Sequence, residues 1–351
     1  MTILAGIALA GPRAWAQAGA SPELVSKAKS EGKVIVYSAT DLAQAKGLLA
    51  GFKAAYPGVD AAYNEFGTTS MFNRIVSEAA AKQVGCDIGW SSGVDLQLTV
   101  VERGLAEQVR PPAAGKLPGW AIYKDAAYGT TMEPAAIIYN KRLLAAEMVP
   151  KSHADLLRIL KEDKAKLDGK VATYDPEKSG LGYTLLAHDA ENVPNFWDLM
   201  AAFGAAHGKV YGSSGSMREK VISGEHLLAF DVVGSYAMAW AKENENIAYG
   251  FLKDYVPAFS RPMLIPKGAP HPNAALLFLD FTLSAAGQKA LSDGGLPALR
   301  TDVPDTENLD TLKKLVGSDL SPIPLSAKTL AMSDAKTRVK FFREWRKATK
   351  G

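Results

Sequence analysis

The sequence predicts an α/β protein divided into two lobes, and two observations carry that expectation. The chain has 351 residues, more than one compact core usually organises. Along it, short apolar, β-branched runs alternate with stretches whose apolar residues recur at helical spacing, the pattern of mostly parallel sheets flanked by helices. With 47% hydrophobic and 22% charged residues, the composition is that of an ordinary globular protein. A net charge of +3 without a long basic block argues against a nucleic-acid partner. The single cysteine, Cys86, excludes an internal disulfide framework and a cluster of thiolate metal ligands.

The elements follow in order. "TILAGIALAG" (2–11) is apolar but too short to span a bilayer. "AWAQAGAS" follows it, and Ala16-Gln17-Ala18 has the small residues of a cleavage site, so residues 1–18 are expected to be a signal peptide and the protein to be exported to the periplasm. The first basic residue, Arg13, comes after the apolar run, and an ordinary N-terminal helix is the other reading. "KVIVYSAT" (33–40), "VDAAYNEF" (59–66) and "CDIGW" (86–90) read as strands. Helices are expected over 41–57, 69–83 and 95–104, the first ending at Pro57 and the third at Gly104. "AAIIYNKRLL" (135–144) opens a second block that "KVATYDP" and "LLAFDVV" continue to about 254. Residues 261–283 read as a strand, a Pro-punctuated turn and a helix, and 306–351 as a mostly helical, charged segment with "VKFFREWRK" amphipathic.

Taken in this order, the segments resemble a known family: the periplasmic solute-binding proteins of ABC importers, type II fold, in the ferric-ion-type cluster of extracellular solute-binding family 1. "GKVIVYSATD" resembles its first strand and ligand loop, and "GCDIGWSSGVDLQ" a later strand end and helix start. "EPAAIIYNKRLL" is similar to its crossover strand, with "VPKSHADLL" after it, and "VISGEHLLAFDVVGSYAM" to a helix end and strand of the second lobe. "LIPKGAPHPNAALLFLDFTLSAAGQKAL" carries the most specific likeness. The resemblance covers about residues 22–300. It implies two α/β lobes, 30–135 plus 260–300 and 136–255, each a mixed, mostly parallel sheet flanked by helices. Two crossover strands would form the hinge, and ligand would sit in the crevice between the lobes.

Four loops share one chemistry: "YSATD" (37–41), "FGTTS" (66–70), "WSSGVD" (90–95) and "EKSGLGYT" (177–184) each run into a helix and supply hydroxyls and glycines. A helix start offers unpaired N–H groups and partial positive charge, which suits an anion. Each loop is equally an ordinary N-cap. The resemblance places Ser179, Gly180 and Leu181 on the segment that binds an anion in ferric-type members. It also maps the iron ligands onto Asp41, Ser92 and the neighbourhood of Gly234 and Ser235, leaving Tyr236 as the one phenol. One phenol and one carboxylate make a poor ferric site.

The expected ligand is therefore a small organic anion bearing a phosphate, phosphonate or carboxylate group, with no metal and no cofactor. Tyr37, Ser38, Thr40, Asp41, Thr68, Ser91 and Ser92 would line the cleft from the first lobe. Ser179, Gly180, Leu181, Ser235 and Tyr236 would close it from the second. Trp90 is a further candidate wall, and Lys178 and Arg218 candidate counter-charges. The partner would be an inner-membrane ABC permease, or a sensor kinase that reads the loaded form, and the protein a monomer. Ferric iron or a ferric complex is the alternative ligand. A different class of function rests on "GWSSG" (89–93), which fits a hydrolase nucleophile elbow with Ser91 as nucleophile. No histidine precedes it, and no Walker A, G-x-G-x-x-G or H-E-x-x-H motif occurs.

Overall fold

A computed structural model describes residues 19–317 and 320–350. The expected signal peptide lies outside them. Among the described residues no helix is long and apolar enough to cross a membrane.

The first described element is a helix, Pro22–Glu31, capped by the Ser21 hydroxyl and stopped by Gly32 at a positive φ of 75°. The first sheet then runs, in spatial order, Asp60–Glu65, Lys33–Ser38, Ile88–Trp90, Pro262–Leu264, Ala127–Gly129 and Ile122–Tyr123. Its first three strands are parallel; the others join antiparallel because they belong to chain entering or leaving the lobe. Val34 and Val36 point into a core closed by Phe52, whose ring meets those of Phe278 and Phe281 edge-on at 4.9 and 5.7 Å.

The second sheet runs Leu320–Pro322, Val256–Phe259, Glu133–Asn140, Leu228–Val233, Val171–Tyr174 and Lys209–Tyr211, with Ile247–Gly250 also paired to Glu133–Asn140. It too is mixed, parallel at both ends and antiparallel around the strand at 133–140. The C-terminal segment is mostly helical, yet it contributes the strand Leu320–Pro322 to this sheet. Its last helix, Ala335–Lys350, packs on Phe196–Ala205 and buries Phe341 and Trp345, which stack 6.5 Å apart. The apolar side of "VKFFREWRK" is thus core, and its basic side faces outward.

Two crossovers connect the sheets, one through Thr130–Met132 and the other through Ser260–Arg261. A third, irregular passage follows at 294–308, where Met132 N–H donates to Pro297 O at 3.0 Å. The hinge is wired by one buried ion pair. Arg261 Nε and Nη2 donate to Glu133 Oε1 and Oε2 at 2.6 and 2.9 Å. Thr131 and Ser235 hydroxyls also donate to that carboxylate, and Arg261 Nη1 reaches Thr40 Oγ1 at 3.0 Å. With both partners essentially unexposed, each needs the other to compensate lost hydration.

Away from the hinge, Asp95 of the first lobe is buried against the second. It accepts from Thr184 Oγ1 at 3.3 Å, Ser333 Oγ at 2.6 Å and Arg338 Nη1 at 2.8 Å. The C-terminal segment therefore straps the two lobes together.

A second buried charge centre pins the helix His153–Glu162 to the loop before Val256. The His153 N–H and Nδ1 meet Asp254 at 2.9 and 2.8 Å, and Nε2 lies 3.8 Å from Asp189. Burial opposes the imidazolium, but Asp189 and Asp254 outweigh it and push His153 up to about 10. A histidine raised above its unfolded value of about 6.5 stabilises fully below that pH and progressively less towards about 10. The melting temperature of the free protein is expected to fall across this window. In His153→Gln the fall should flatten, and an unchanged slope would assign the pH dependence to other groups.

Candidate functional site

Five helix starts face one cavity of about 410 Å³ between the sheets, within the range of about 300–1,000 Å³ usual for small-molecule sites. From the first lobe come the loops ahead of the helices Leu42–Ala55 and Thr68–Ala80, which present Asp41, Glu65, Phe66 and Thr68, and Ser92 from the loop before Val94–Glu102. The second lobe contributes Ser179 and Leu181 at the start of Gly180–Asn192, and Gly212–Gly215 at the start of Ser214–Ile222. Tyr174, Tyr236 and Arg261 form the remaining wall. Strand ends deliver all of these loops, which is where ligands bind in open α/β sheets.

Six of the sequence candidates lie at this cavity: Asp41, Thr68, Ser92, Ser179, Leu181 and Tyr236. The other six point elsewhere, each for a local reason. Tyr37 turns outward to Glu78 at 3.0 Å and to Arg74 at 3.1 Å. Ser38 accepts the Thr40 N–H, and Thr40 Oγ1 is held by Arg261. Ser91 Oγ accepts the Gly93 N–H within its own turn, and among the described residues no hydrogen bond joins it to a histidine. Ser235 Oγ is tied to Glu133. Gly180 approaches the first lobe so closely that a Cβ would lie 2.7 Å from Leu96 Cδ1. Trp90 is core, with Nε1 donating to Thr130 Oγ1; Lys178 and Arg218 pair with Asp175 and Glu243.

The helix start at Ser179 also differs from the open amide seat that the sequence suggests. Its Gly180 N–H donates to Thr68 Oγ1 across the lobes at 3.0 Å, and its Gly182 N–H to Ser179 Oγ at 3.1 Å. The freer seat is the neighbouring "GSSGS" turn. There Ser213 Oγ caps Ser216 N–H at 3.2 Å, and the Ser214 and Gly215 N–H groups make no hydrogen bond among the described residues. Sequence reasoning missed this turn, although it has the Gly/Ser chemistry of the four loops it singled out. It also missed Glu65 and Arg261, which no motif marks.

The electrostatics of the wall are mixed. Burial raises the Asp41 carboxyl, against the opposing pull of Arg261, and nearby Glu65 raises it further. The Tyr236 hydroxyl accepts Asp41 N–H at 3.2 Å, bridging the lobes, and burial pushes its phenol up to about 12. Tyr63 and Tyr174, also raised by burial, are engaged with Thr40 O and Ser214 Oγ. The phenols are thus mostly committed, with a guanidinium 5.3 Å from the Tyr236 ring.

The comparisons agree with this architecture. The profile of bacterial extracellular solute-binding proteins matches residues 47–316. The substrate-binding protein of an ABC transporter from Agrobacterium tumefaciens is 30% identical, with 90% of this chain and 94% of that one covered at a TM-score of 0.86. Two more distant structures share the fold. AfuA from Actinobacillus pleuropneumoniae, with exogenous fructose 6-phosphate bound, is 19% identical over 91% of this chain and 99% of its own, with a TM-score of 0.73. Iron-bound HitA from Pseudomonas aeruginosa is 17% identical over 90% and 99%, with a TM-score of 0.71. No curated protein matches the chain. The chain belongs to the bacterial extracellular solute-binding proteins, the substrate-binding components of ABC transporters.

Proposed function

We propose that the protein is exported to the periplasm and captures a small organic anion between its lobes, presenting it as a monomer to an inner-membrane ABC permease. The anionic group would be a phosphate, phosphonate or carboxylate. The observation that carries this reading is the turn Gly212–Gly215, where unpaired amides at a helix start face the cavity beside the Ser179 and Thr68 hydroxyls. Partial positive charge and convergent donors favour an anion there without a dedicated lysine. Tyr236 meeting Asp41, and Thr68 meeting Gly180, are contacts that opening of the hinge would break. Ligand that touches both lobes stabilises the closed arrangement, the form a permease can recognise.

The phosphate-bearing ligand of the Actinobacillus relative supports the choice of anion. Ferric iron is less well supported because of the committed phenols and Arg261. A thermal-shift screen of phosphate monoesters, phosphonates and carboxylates, followed by calorimetry, tests the proposal. At least one class should raise the melting temperature in a saturable manner. Response to neutral sugars or metal cations alone would overturn it.

A further inference from the structure

The wall opposite the amide turn is acidic. Asp41 and Glu65 lie side by side on the first lobe, and Glu65 Oε2 accepts the Leu42 N–H at 2.9 Å. Among the described residues lining the cavity Arg261 is the one cation, and its charge is already matched by Glu133. A purely anionic ligand would close these two carboxylates in with further negative charge, at the short range and reduced dielectric where like charges repel strongly. Ser92 offers one more donor at this wall. It is 4% exposed, lines the cavity, and its hydroxyl has no partner among the described residues.

We infer that the ligand is zwitterionic: its anionic head sits on the Ser214 and Gly215 amides, and a primary ammonium sits between Asp41 and Glu65, with Ser92 bonding the linker or head. This deepens the anion reading and rests on it. An ammonium there donates to both carboxylates and relieves their mutual repulsion, so the two ends of the cavity select opposite charges on one small molecule. A neutral hydroxyl could also donate to Asp41 or Glu65, but it would leave their charge uncompensated.

Calorimetry with two matched pairs of probes separates these cases. Ethanolamine phosphate is compared with glycerol 3-phosphate, and 4-aminobutyrate with 4-hydroxybutyrate. In at least one pair the ammonium-bearing member should bind ten-fold or more tightly than its hydroxyl counterpart. Asp41→Asn and Glu65→Gln should each reduce that preference about ten-fold; Gln keeps an acceptor for the Leu42 N–H, the Asp41 side chain makes no capping bond to lose, and a melting curve confirms the fold. Equal or tighter binding of the hydroxyl members overturns the ammonium seat while leaving the anion site standing. Binding of neither pair, in a protein that captures other anions, also overturns it, whereas failure of every anion removes the underlying reading as well.

Discussion

Ser213→Asp is expected to abolish anion capture while leaving the fold intact. Aspartate caps a helix about as well as serine, so the bond to Ser216 N–H has a ready replacement. The new carboxylate would sit on the amides proposed to hold the anionic head. At about 4 Å and an effective dielectric near 20, two like charges repel by about 4 kcal/mol, roughly a thousandfold in affinity. Ser179→Asp should weaken binding less, because the Gly180 and Gly182 amides at that turn are already engaged by Thr68 and by Ser179 itself. Calorimetry on the two variants, with melting curves alongside, checks the order. Affinity within threefold of the parent in Ser213→Asp would remove this turn from the site.

Arg261→Met should cost about 3–5 kcal/mol of stability, the usual consequence of leaving one partner of a buried ion pair uncompensated. Glu133 would keep the Thr131 and Ser235 hydroxyls as donors, but no cation. Adding Glu133→Leu to Arg261→Met should recover only part of the loss. The charge imbalance disappears, yet the buried Thr131 and Ser235 hydroxyls lose their acceptor and Thr40 Oγ1 its donor. Denaturant titration of both single variants and the double variant gives the coupling directly. A loss below 1 kcal/mol in Arg261→Met would mean that water or another group replaces the guanidinium at the hinge.

Local signals marked the elements well where the side chains that build an element also name it. Val34 and Val36 in "KVIVYS", the periodic Leu48 and Phe52, and Gly32 each act within a few residues. The same holds for the anion-suited loops, since Ser, Thr and Gly before a helix are visible in order. What such a loop does once folded is not local. Ser38, Thr40 and Ser91 have the right chemistry in the right loops, yet their hydroxyls are taken by Thr40 N–H, Arg261 and Gly93 N–H. The strand Leu320–Pro322 was hidden for a related reason: it is three residues long and exists through its pairing with Val256–Ala258.

Periodicity and the order of motifs along the chain were enough to read off the α/β class, the two lobes and the family. Tertiary structure alone decided which donors remain free. The pairing of Arg261 with Glu133, 128 residues away, neutralises the cation at the cavity wall. The meeting of Thr68 with Gly180, 112 residues apart, occupies part of one helix start, whereas the Ser214 and Gly215 amides stay unbonded among the described residues. A hydrogen-bonding group has a fixed number of partners, and which partners reach it first is set by contacts between lobes, beyond the range of any local pattern.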